Sequence, residues 1–492
     1  MDVDDRLGEF RTLRQRIETS ILPLATSVDG RSFTFQASLH DLALQVGGYV
    51  VLEDDAGSRL GQVLSLDLAV EEATALEQPV EGAGKTHSRV LARLARGAGT
   101  ILDGDGRPFH DALARPARPD EVRAWLAGTA GDRAQLPIGQ LALAEGVDYA
   151  LDAGGFGRHT FMCGQSGSGK TYSLGVVLER LLLETGLRII VLDPNSDYVR
   201  LAEQRDGAGD AARYSQAAAG VAVRSLADRG EPLHLRARDL DADQQAAVLR
   251  LDPIADREEY AELARLVAAQ PHGSLDAIGL DETSPLAVRA RNLGVDRWRT
   301  WSRTSGASVV DDLERGDARC LIVDLGSLDG REEQALVAGA VLRRLWNARA
   351  RREPVLVVID EAHNVCPGIP DYDLVALATE DAIRIAGEGR KFGIYLLLST
   401  QRPDKLHINV LSQCDNLMLM RMNSAADLVV VGDVLSFAPP GLLARATTFR
   451  QGEALVAGKI SSHPALVRFG ARYSHEGGGD VPATWAARQP RT

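Results

Sequence analysis

The sequence is poor in cysteine. Its 492 residues contain four, Cys163, Cys320, Cys366 and Cys414, which lie far apart and form no CxxC pair. Such spacing supports neither a disulfide framework nor a zinc site, so the four are most simply small buried hydrophobes. Because Cys163 adjoins a glycine-rich loop, a reactive role stays open beside packing at the end of a strand.

Long apolar runs are missing as well. No run approaches the roughly 20 residues that cross a bilayer. The chain starts with Asp2, Asp4 and Asp5, where a secretory signal would be basic and then apolar. These absences predict a cytoplasmic protein with no membrane partner.

The sequence also lacks net positive charge, since its 68 acidic residues outnumber the 55 basic ones. The net charge is −13, which argues against a protein that coats nucleic acid by general electrostatics. One segment has a net charge of the opposite sign, because Arg384 to Arg421 contains six basic and three acidic residues. That segment indicates nucleotide contacts, phosphate-backbone contacts or both, while Lys405 alone is equally compatible with a solvated face.

The first part of the chain differs in pattern from the rest. Residues 1–20 read as a charged helix, and short β-rich runs separated by Gly and Asp follow over about 30–145. Strands at such short spacing are typical of a small barrel or sandwich. We therefore predict an N-terminal domain over 1–137, made of a helix and a small β-barrel.

From about residue 138, strands alternate with helices, which predicts parallel βαβ units in an α/β domain. Its apolar runs are continuous enough for strands covered on both faces. Residues 205–312 are Ala-, Arg- and Asp-rich with helical periodicity, which indicates a helical insertion. The predicted catalytic domain spans 138–482, and 483–492 form a tail.

A phosphate-binding loop is the strongest motif. The sequence GQSGSGKT follows a buried strand and opens an amphipathic helix, as a Walker A loop requires. Backbone N–H groups and the helix N-terminus would face the phosphates of ATP, Lys170 would reach the β- and γ-phosphates, and the Thr171 hydroxyl would ligate Mg²⁺. The predicted nucleotide-binding residues are Gly164, Gln165, Ser166, Gly167, Ser168, Gly169, Lys170 and Thr171.

An acidic pair ends another apolar run, VLVVIDEAH at 355–363. Asp360 is placed to hold Mg²⁺ through water, and Glu361 to deprotonate the attacking water. His363 follows without other His or Cys at ligand spacing, so it predicts no metal site. The pair favours a hydrolase.

A third buried strand ends in three polar residues, Ser399, Thr400 and Gln401. Their side chains are placed to contact a γ-phosphate or its water. Arg390 precedes that strand. It is either an arginine finger delivered to a neighbouring subunit's ATP or a surface arginine paired with Glu388.

Another strand ends in DPNSDY at 193–198. Asp193 or Asp197 would lie near the metal or at a subunit boundary, but Pro and Asn here also make a good turn, which is the safer interpretation.

These motifs together resemble the HerA/FtsK superfamily, specifically HerA-like ATPases. The resemblance rests on RHTFMCGQSGSGKT, DPNSDY, VVIDEAHNVCP, GRKFG and STQRP in this order, with LSQCDNLMLMRM and the terminal GGGD, across about 140–482. It is weaker over 30–145, where VGGYVVLEDDAGSRLGQV is similar to the small HAS-type β-barrel that precedes the HerA motor.

The resemblance implies a RecA-like motor domain in a hexameric ring, with ATP at subunit boundaries and duplex DNA in the central channel. It also implies a nuclease partner, in DNA end processing or in anti-phage defence, with Gln401 as sensor and Arg390 as trans finger. Two alternatives stay open. One is an ATP-dependent scaffold that regulates an effector protein, and a weaker one is a motor for conjugative transfer.

Overall fold

The computed structural model describes most of the chain. The described residues are 22–38, 43–69, 75–76, 90–91, 94–207, 211–227, 229–269, 284–302 and 306–477. The predicted N-terminal helix at 1–20 and the tail at 483–492 lie outside them. The chain forms two compact units: a barrel unit, Met1–Asp152 with Arg421–Phe469, and a motor unit, Ala153–Met420 with Gly470–Thr492.

A closed six-stranded barrel forms the first part of the barrel unit, in the order β1-β2-β7-β4-β3-β8. The strands of this region are β1 (Leu24–Ser27), β2 (Ser32–Ser38), β3 (Tyr49–Asp54), β4 (Gly57–Ala69), β5 (Ala75–Leu76), β6 (Val90–Leu91), β7 (Leu94–Asp103) and β8 (Phe109–Pro116). All barrel pairings are antiparallel, and β5 and β6 form a separate pair. The small β-barrel predicted from the spacing of β-rich runs is confirmed.

The barrel interior follows from side-chain alternation along β2. Phe33 and Phe35 point inward and are buried, while the residues between them face outward. Gly97 and Gly99 on β7 lie beneath these rings. A Cβ at Gly97 would meet Phe35 Cε1 at 2.2 Å, and one at Gly99 would meet Phe33 Cζ at 2.4 Å, so the rings occupy space that only glycine leaves.

The barrel unit continues into an antiparallel sheet of four strands. They are β9 (Gln135–Leu141), β10 (Asp148–Asp152), β18 (Glu453–Gly458) and β19 (Ala465–Phe469), in the order β10-β9-β19-β18. Residues 421–469 therefore fold with the first part of the chain, although the sequence placed them in the catalytic domain. The reason is that β19 pairs with β9, a partner more than 300 residues away that no local pattern identifies.

Seven parallel strands form the core of the motor unit. They are β11 (His159–Cys163), β12 (Arg188–Asp193), β13 (Val221–Arg224), β14 (Cys320–Asp324), β15 (Val355–Ile359), β16 (Ile394–Thr400) and β17 (Cys414–Met420). Their order is β17-β11-β16-β15-β12-β14-β13. The predicted α/β motor with buried parallel strands is confirmed, and β16 separates β11 from β15.

The described residues also form α-helices. They are α1 (Pro119–Ala130), α2 (Lys170–Glu184), α3 (Ala211–Ala218), α4 (Ala242–Val248), α5 (Arg257–Ala269), α6 (Pro285–Leu293), α7 (Val309–Arg315), α8 (Arg331–Asn347), α9 (Asp373–Glu388), α10 (Ile408–Leu411), α11 (Ala425–Val434) and α12 (Pro440–Ala444). Four of them, α3 to α6, lie in the predicted insertion, and α7 begins within it and ends at Arg315. The insertion is mainly helical as expected, and its β13 adds an edge strand to the motor sheet.

A buried ion pair joins the last described segment to α2. Glu179 and Arg472 are both 0 % exposed, and Glu179 accepts the backbone N–H groups of Tyr473 and Ser474 at 2.8 and 2.7 Å. Arg472 lies against Gly175, where a Cβ would come within 2.5 Å of its Cζ. The segment after β19 is thus fixed to the helix that begins at the phosphate loop.

Removing this arginine should destabilise the protein. We expect Arg472→Ala to cost about 1.5–3 kcal/mol, because the buried Glu179 carboxylate loses one of its two cationic neighbours and keeps only Arg180, at 3.3 Å. Urea unfolding monitored by circular dichroism measures the loss. The matched control is Arg468→Ala, which breaks an exposed pair with Glu453 and should cost about 1 kcal/mol or less. Equal losses in the two variants would contradict the special role of the buried pair.

Candidate nucleotide site

The phosphate loop joins the end of β11 to the start of α2. Gly167 and Gly169 have φ angles of 73° and 91°, in the left-handed region that favours glycine. Gly164 has no room for a side chain, since its Cβ would come within 2.8 Å of Ser168 Oγ. The glycines at these places therefore give the loop its shape.

The loop fits a phosphate group. Ser168 Oγ is buried, and the described part of the chain provides no hydrogen-bond partner for it. It sits in a loop that leads directly into the N-terminus of α2, whose first N–H groups point toward an anion. For Mg²⁺, the predicted Thr171 hydroxyl and Asp360 carboxylate supply the oxygen donors that this ion prefers.

Lys170 lies in a buried ion cluster. Its Nζ donates to Asp360 Oδ1 at 2.7 Å and to Ser399 Oγ at 2.9 Å, and lies 3.2 Å from Glu361 Oε1. Burial lowers the pKa of Lys170, but Asp360 and Glu361 outweigh it and the net shift is upward. Burial likewise raises the pKa of Asp360, and Lys170 reverses that shift. Both groups are therefore ionised, and in this structure the lysine of the loop pairs with the acidic pair.

The strand order explains why Lys170 lies close to the acidic pair. Because β16 lies between β11 and β15, its end at Ser399 falls between the phosphate loop and the acidic pair. The Ser399 hydroxyl donates to Asp360 Oδ1 at 2.6 Å. Gln401, two residues on, donates its Nε2 to Glu361 Oε1 at 2.8 Å. The predicted Lys170, Asp360, Glu361 and Gln401 thus come together at one edge of the sheet.

Glu361 has an unusual backbone. Its φ of 43° is left-handed, which a non-glycine residue adopts only under constraint, and such strain clusters at functional sites. Its Oε1 is held by Gln401, while Oε2 is buried and has no hydrogen-bond partner among the described residues. A carboxylate oxygen carries two lone pairs, and a free lone pair on Oε2 suits a base that must receive a proton.

The DPNSDY segment forms a turn that Asp193 holds from inside. The Asp193 carboxylate accepts the backbone N–H groups of Asn195, Asp197 and Tyr198 at 3.3, 3.0 and 2.8 Å. Burial raises the pKa of Asp193 to about 7, and burial with the nearby Asp360 raises that of Asp197 to about 6. The turn interpretation is confirmed, and Asp193 caps its own loop.

Arg390 lies at the opposite edge of the motor sheet. It precedes β16, whereas Ser399 and Gln401 lie at or beyond the end of that strand, roughly 20 Å along it. Its Nη1 contacts Asp415 Oδ2 at 3.2 Å and its side chain is 50 % exposed. The alternative pairing with Glu388 does not occur, because Asp415 takes that place from the start of β17, which is separated from β16 by β11. Arg390 is therefore turned away from the nucleotide site of its own chain.

Arg158 shares this position and was missed by sequence reasoning. It immediately precedes β11, and its Nη1 lies 3.5 Å from Asp415 Oδ2. The signal in the sequence was that Arg158, like Arg390, shortly precedes a buried strand of the sheet. Two arginines and one carboxylate thus form a second charged group, away from the phosphate loop.

The remaining features are the cysteines, possible metal sites and possible membrane-spanning helices. All four cysteines are free and buried, and burial raises the pKa of Cys320 and Cys366 to about 12, so they pack as hydrophobes. Within the described ranges, no group of three or more His, Cys, Asp or Glu side chains is placed to hold a metal ion. In the same part of the chain, no helix combines the length and apolarity that crossing a membrane requires.

Comparison with known proteins shows that the chain is similar to HerA proteins. Residues 136–284 match the family described as "Helicase HerA, central domain". The "DNA double-strand break repair helicase HerA" of Saccharolobus solfataricus is 24 % identical over 90 % of this chain and 91 % of its own. That of Sulfurisphaera tokodaii is 31 % identical over 35 % of this chain and 36 % of its own. The resemblance predicted from the motifs is confirmed.

Solved structures are more distant. VirB4 of Thermoanaerobacter pseudethanolicus is 15 % identical with a TM-score of 0.47, covering 69 % of this chain and 97 % of that one. The bacterial conjugative coupling protein TrwBdeltaN70 is 14 % identical with a TM-score of 0.42, covering 72 % of this chain and 92 % of that one.

Proposed function

We propose that this HerA-like enzyme, which hydrolyses ATP, is a DNA translocase that works as a hexameric ring. The observation that carries the proposal is the assembled site, in which a phosphate loop, an acidic pair and Gln401 meet in a chain similar to HerA helicases over most of its length. The relatives are described as DNA double-strand break repair helicases, which supports duplex DNA as the partner here.

The proposed reaction is hydrolysis of the terminal phosphate. Glu361 accepts a proton from water as the water oxygen bonds to the γ-phosphorus, and the bond to the ADP oxygen breaks to give ADP and phosphate. Lys170 leaves its carboxylate partners to contact the β- and γ-phosphates, and Gln401 orients the water. Thr171 and, through water, Asp360 would hold Mg²⁺, which neutralises developing charge when bound.

The ring explains the second charged group. Arg390, with Arg158 beside it, would reach the nucleotide of a neighbouring subunit, since in its own chain it lies at the other edge of the sheet. A guanidinium there would offset transition-state charge. Head-to-tail contacts of this kind close into rings.

We propose a nuclease as the protein partner, in DNA end processing or in antiviral defence. This rests on the HerA resemblance, and the cytoplasmic location predicted from the sequence fits it. Co-purification with a nuclease encoded beside this protein is the expected result, and a protein that purifies with none under low salt would contradict it.

DNA should stimulate ATP hydrolysis. Phosphate release is measured with and without linear duplex DNA, using Lys170→Ala as the control for contaminating ATPases. We expect stimulation of about tenfold, and a DNA affinity that falls steeply with salt, because phosphate contacts release counterions. If DNA neither binds at moderate salt nor stimulates the enzyme, the scaffold alternative replaces the translocase.

A further inference from the structure

His363 lies beside the proposed base and has no role in the reaction described so far. It belongs to the short turn Ala362–Asn364 that follows Glu361, and its side chain is largely buried. Its Nδ1 lies 2.9 Å from Thr400 Oγ1 and 3.3 Å from Glu361 Oε2. One ring nitrogen therefore faces a hydroxyl and a carboxylate, at the ends of two adjacent strands.

The tautomer follows from these neighbours. A lone pair on Nδ1 would face the Glu361 carboxylate at 3.3 Å and repel it, whereas an Nδ1–H is attracted. Burial lowers the pKa of His363, with Glu361 opposing this shift and Arg402, Lys170 and Arg331 adding to it, so the ring is neutral near pH 7. A neutral ring with its proton on Nδ1 suits both neighbours.

The two carboxylate oxygens of Glu361 thus have different polar neighbours. Gln401 Nε2 donates to Oε1, while the buried Oε2 has His363 Nδ1 as its near polar neighbour and lacks a full hydrogen bond among the described residues. The Thr400 hydroxyl also accepts the backbone N–H of Arg402 at 3.0 Å, which fixes Thr400 and hence the ring. The left-handed backbone at Glu361 turns its side chain into this space.

We propose that His363 is a positioning residue, which directs its Nδ1–H at Glu361 Oε2 and fixes the carboxylate for proton removal from water. This rests on the proposed role of Glu361 as base. Positioning of this kind acts on the chemical step and leaves nucleotide affinity unchanged, because the hydrogen bond and ion pair described for His363 join it to Thr400 and Glu361 and not to the phosphate loop.

A pair of near-isosteric substitutions tests the geometry. The amide nitrogen of asparagine occupies the place of Nδ1, and that of glutamine the place of Nε2. We expect His363→Asn to keep kcat within about threefold, while His363→Gln and His363→Ala lose about tenfold to a hundredfold, the range for a hydrogen bond to a charged group. The KM for ATP should stay the same in all three.

The possible outcomes distinguish the role of His363 from the role of Glu361. Equal loss in the Asn and Gln variants, or a loss carried by KM, would overturn the proposal. Thermal unfolding and equilibrium binding of a fluorescent ATP analogue confirm that each variant is folded and loaded. Glu361→Gln runs in parallel: if it still turns over, the base assignment fails. If it is inactive while His363→Gln matches the wild type, the role of His363 alone fails.

Discussion

Replacing Glu361 with glutamine is expected to abolish ATP turnover and to leave ATP binding intact. The amide has the size of the carboxylate but accepts no proton from the attacking water, so kcat should fall at least about a hundredfold, as for loss of a general base. Steady-state phosphate release measures the loss. Binding of a fluorescent ATP analogue should match the wild type, because Lys170 and the loop glycines are unchanged.

A matched control distinguishes the loss of a negative charge from the loss of the proposed catalytic base. Glu380→Gln removes one carboxylate from the exposed face of α9 and should leave turnover unchanged. Turnover of Glu361→Gln above about a tenth of the wild type would mean that another group takes the proton. The adjacent carboxylate is Asp360, but in the proposed reaction it holds Mg²⁺ through water, which makes it a poor base.

Much of this site was predictable because its residues occupy fixed places at strand ends. A buried strand followed by a glycine-rich loop, or by Asp360 and Glu361, puts these groups at the carboxyl edge of a parallel sheet. The position of β16 between β11 and β15 was not predictable, since strand order depends on distant pairing. That order brings Ser399 against Lys170 and Asp360.

The features that could not be predicted from the sequence depend on contacts between segments that are far apart along the chain. Glu179 meets the backbone of Ser474 across 295 residues, and β9 pairs with β19 from the other end of the barrel unit. For Asp193, the sequence made a turn the safer interpretation and a place near the metal the alternative. Only its three backbone partners decide between these roles. Local periodicity predicts elements, whereas such partners depend on the tertiary fold.

Loss of Arg390 is expected to have the second large effect. As a trans arginine finger it would contribute about 10³-fold or more to kcat, so Arg390→Ala should be nearly inactive while it still binds ATP. Lys391→Ala, which removes the neighbouring charge of the same turn, is the matched control and should keep its activity. An Arg390→Ala enzyme with normal turnover would return Arg390 to a surface role, paired with Asp415.

Mixed rings distinguish action in trans from action within one chain. Arg390→Ala subunits keep an intact phosphate loop, and Lys170→Ala subunits keep an intact arginine. Co-expressed at equal amounts, they would form boundaries with both intact groups at about a quarter of positions, so activity should recover to about that fraction of the wild type. Neither parent alone should be active. Because Arg390 lies at the edge of the sheet away from its own phosphate loop, recovery requires a neighbour, and a co-expressed mixture as inactive as its parents would contradict the shared site.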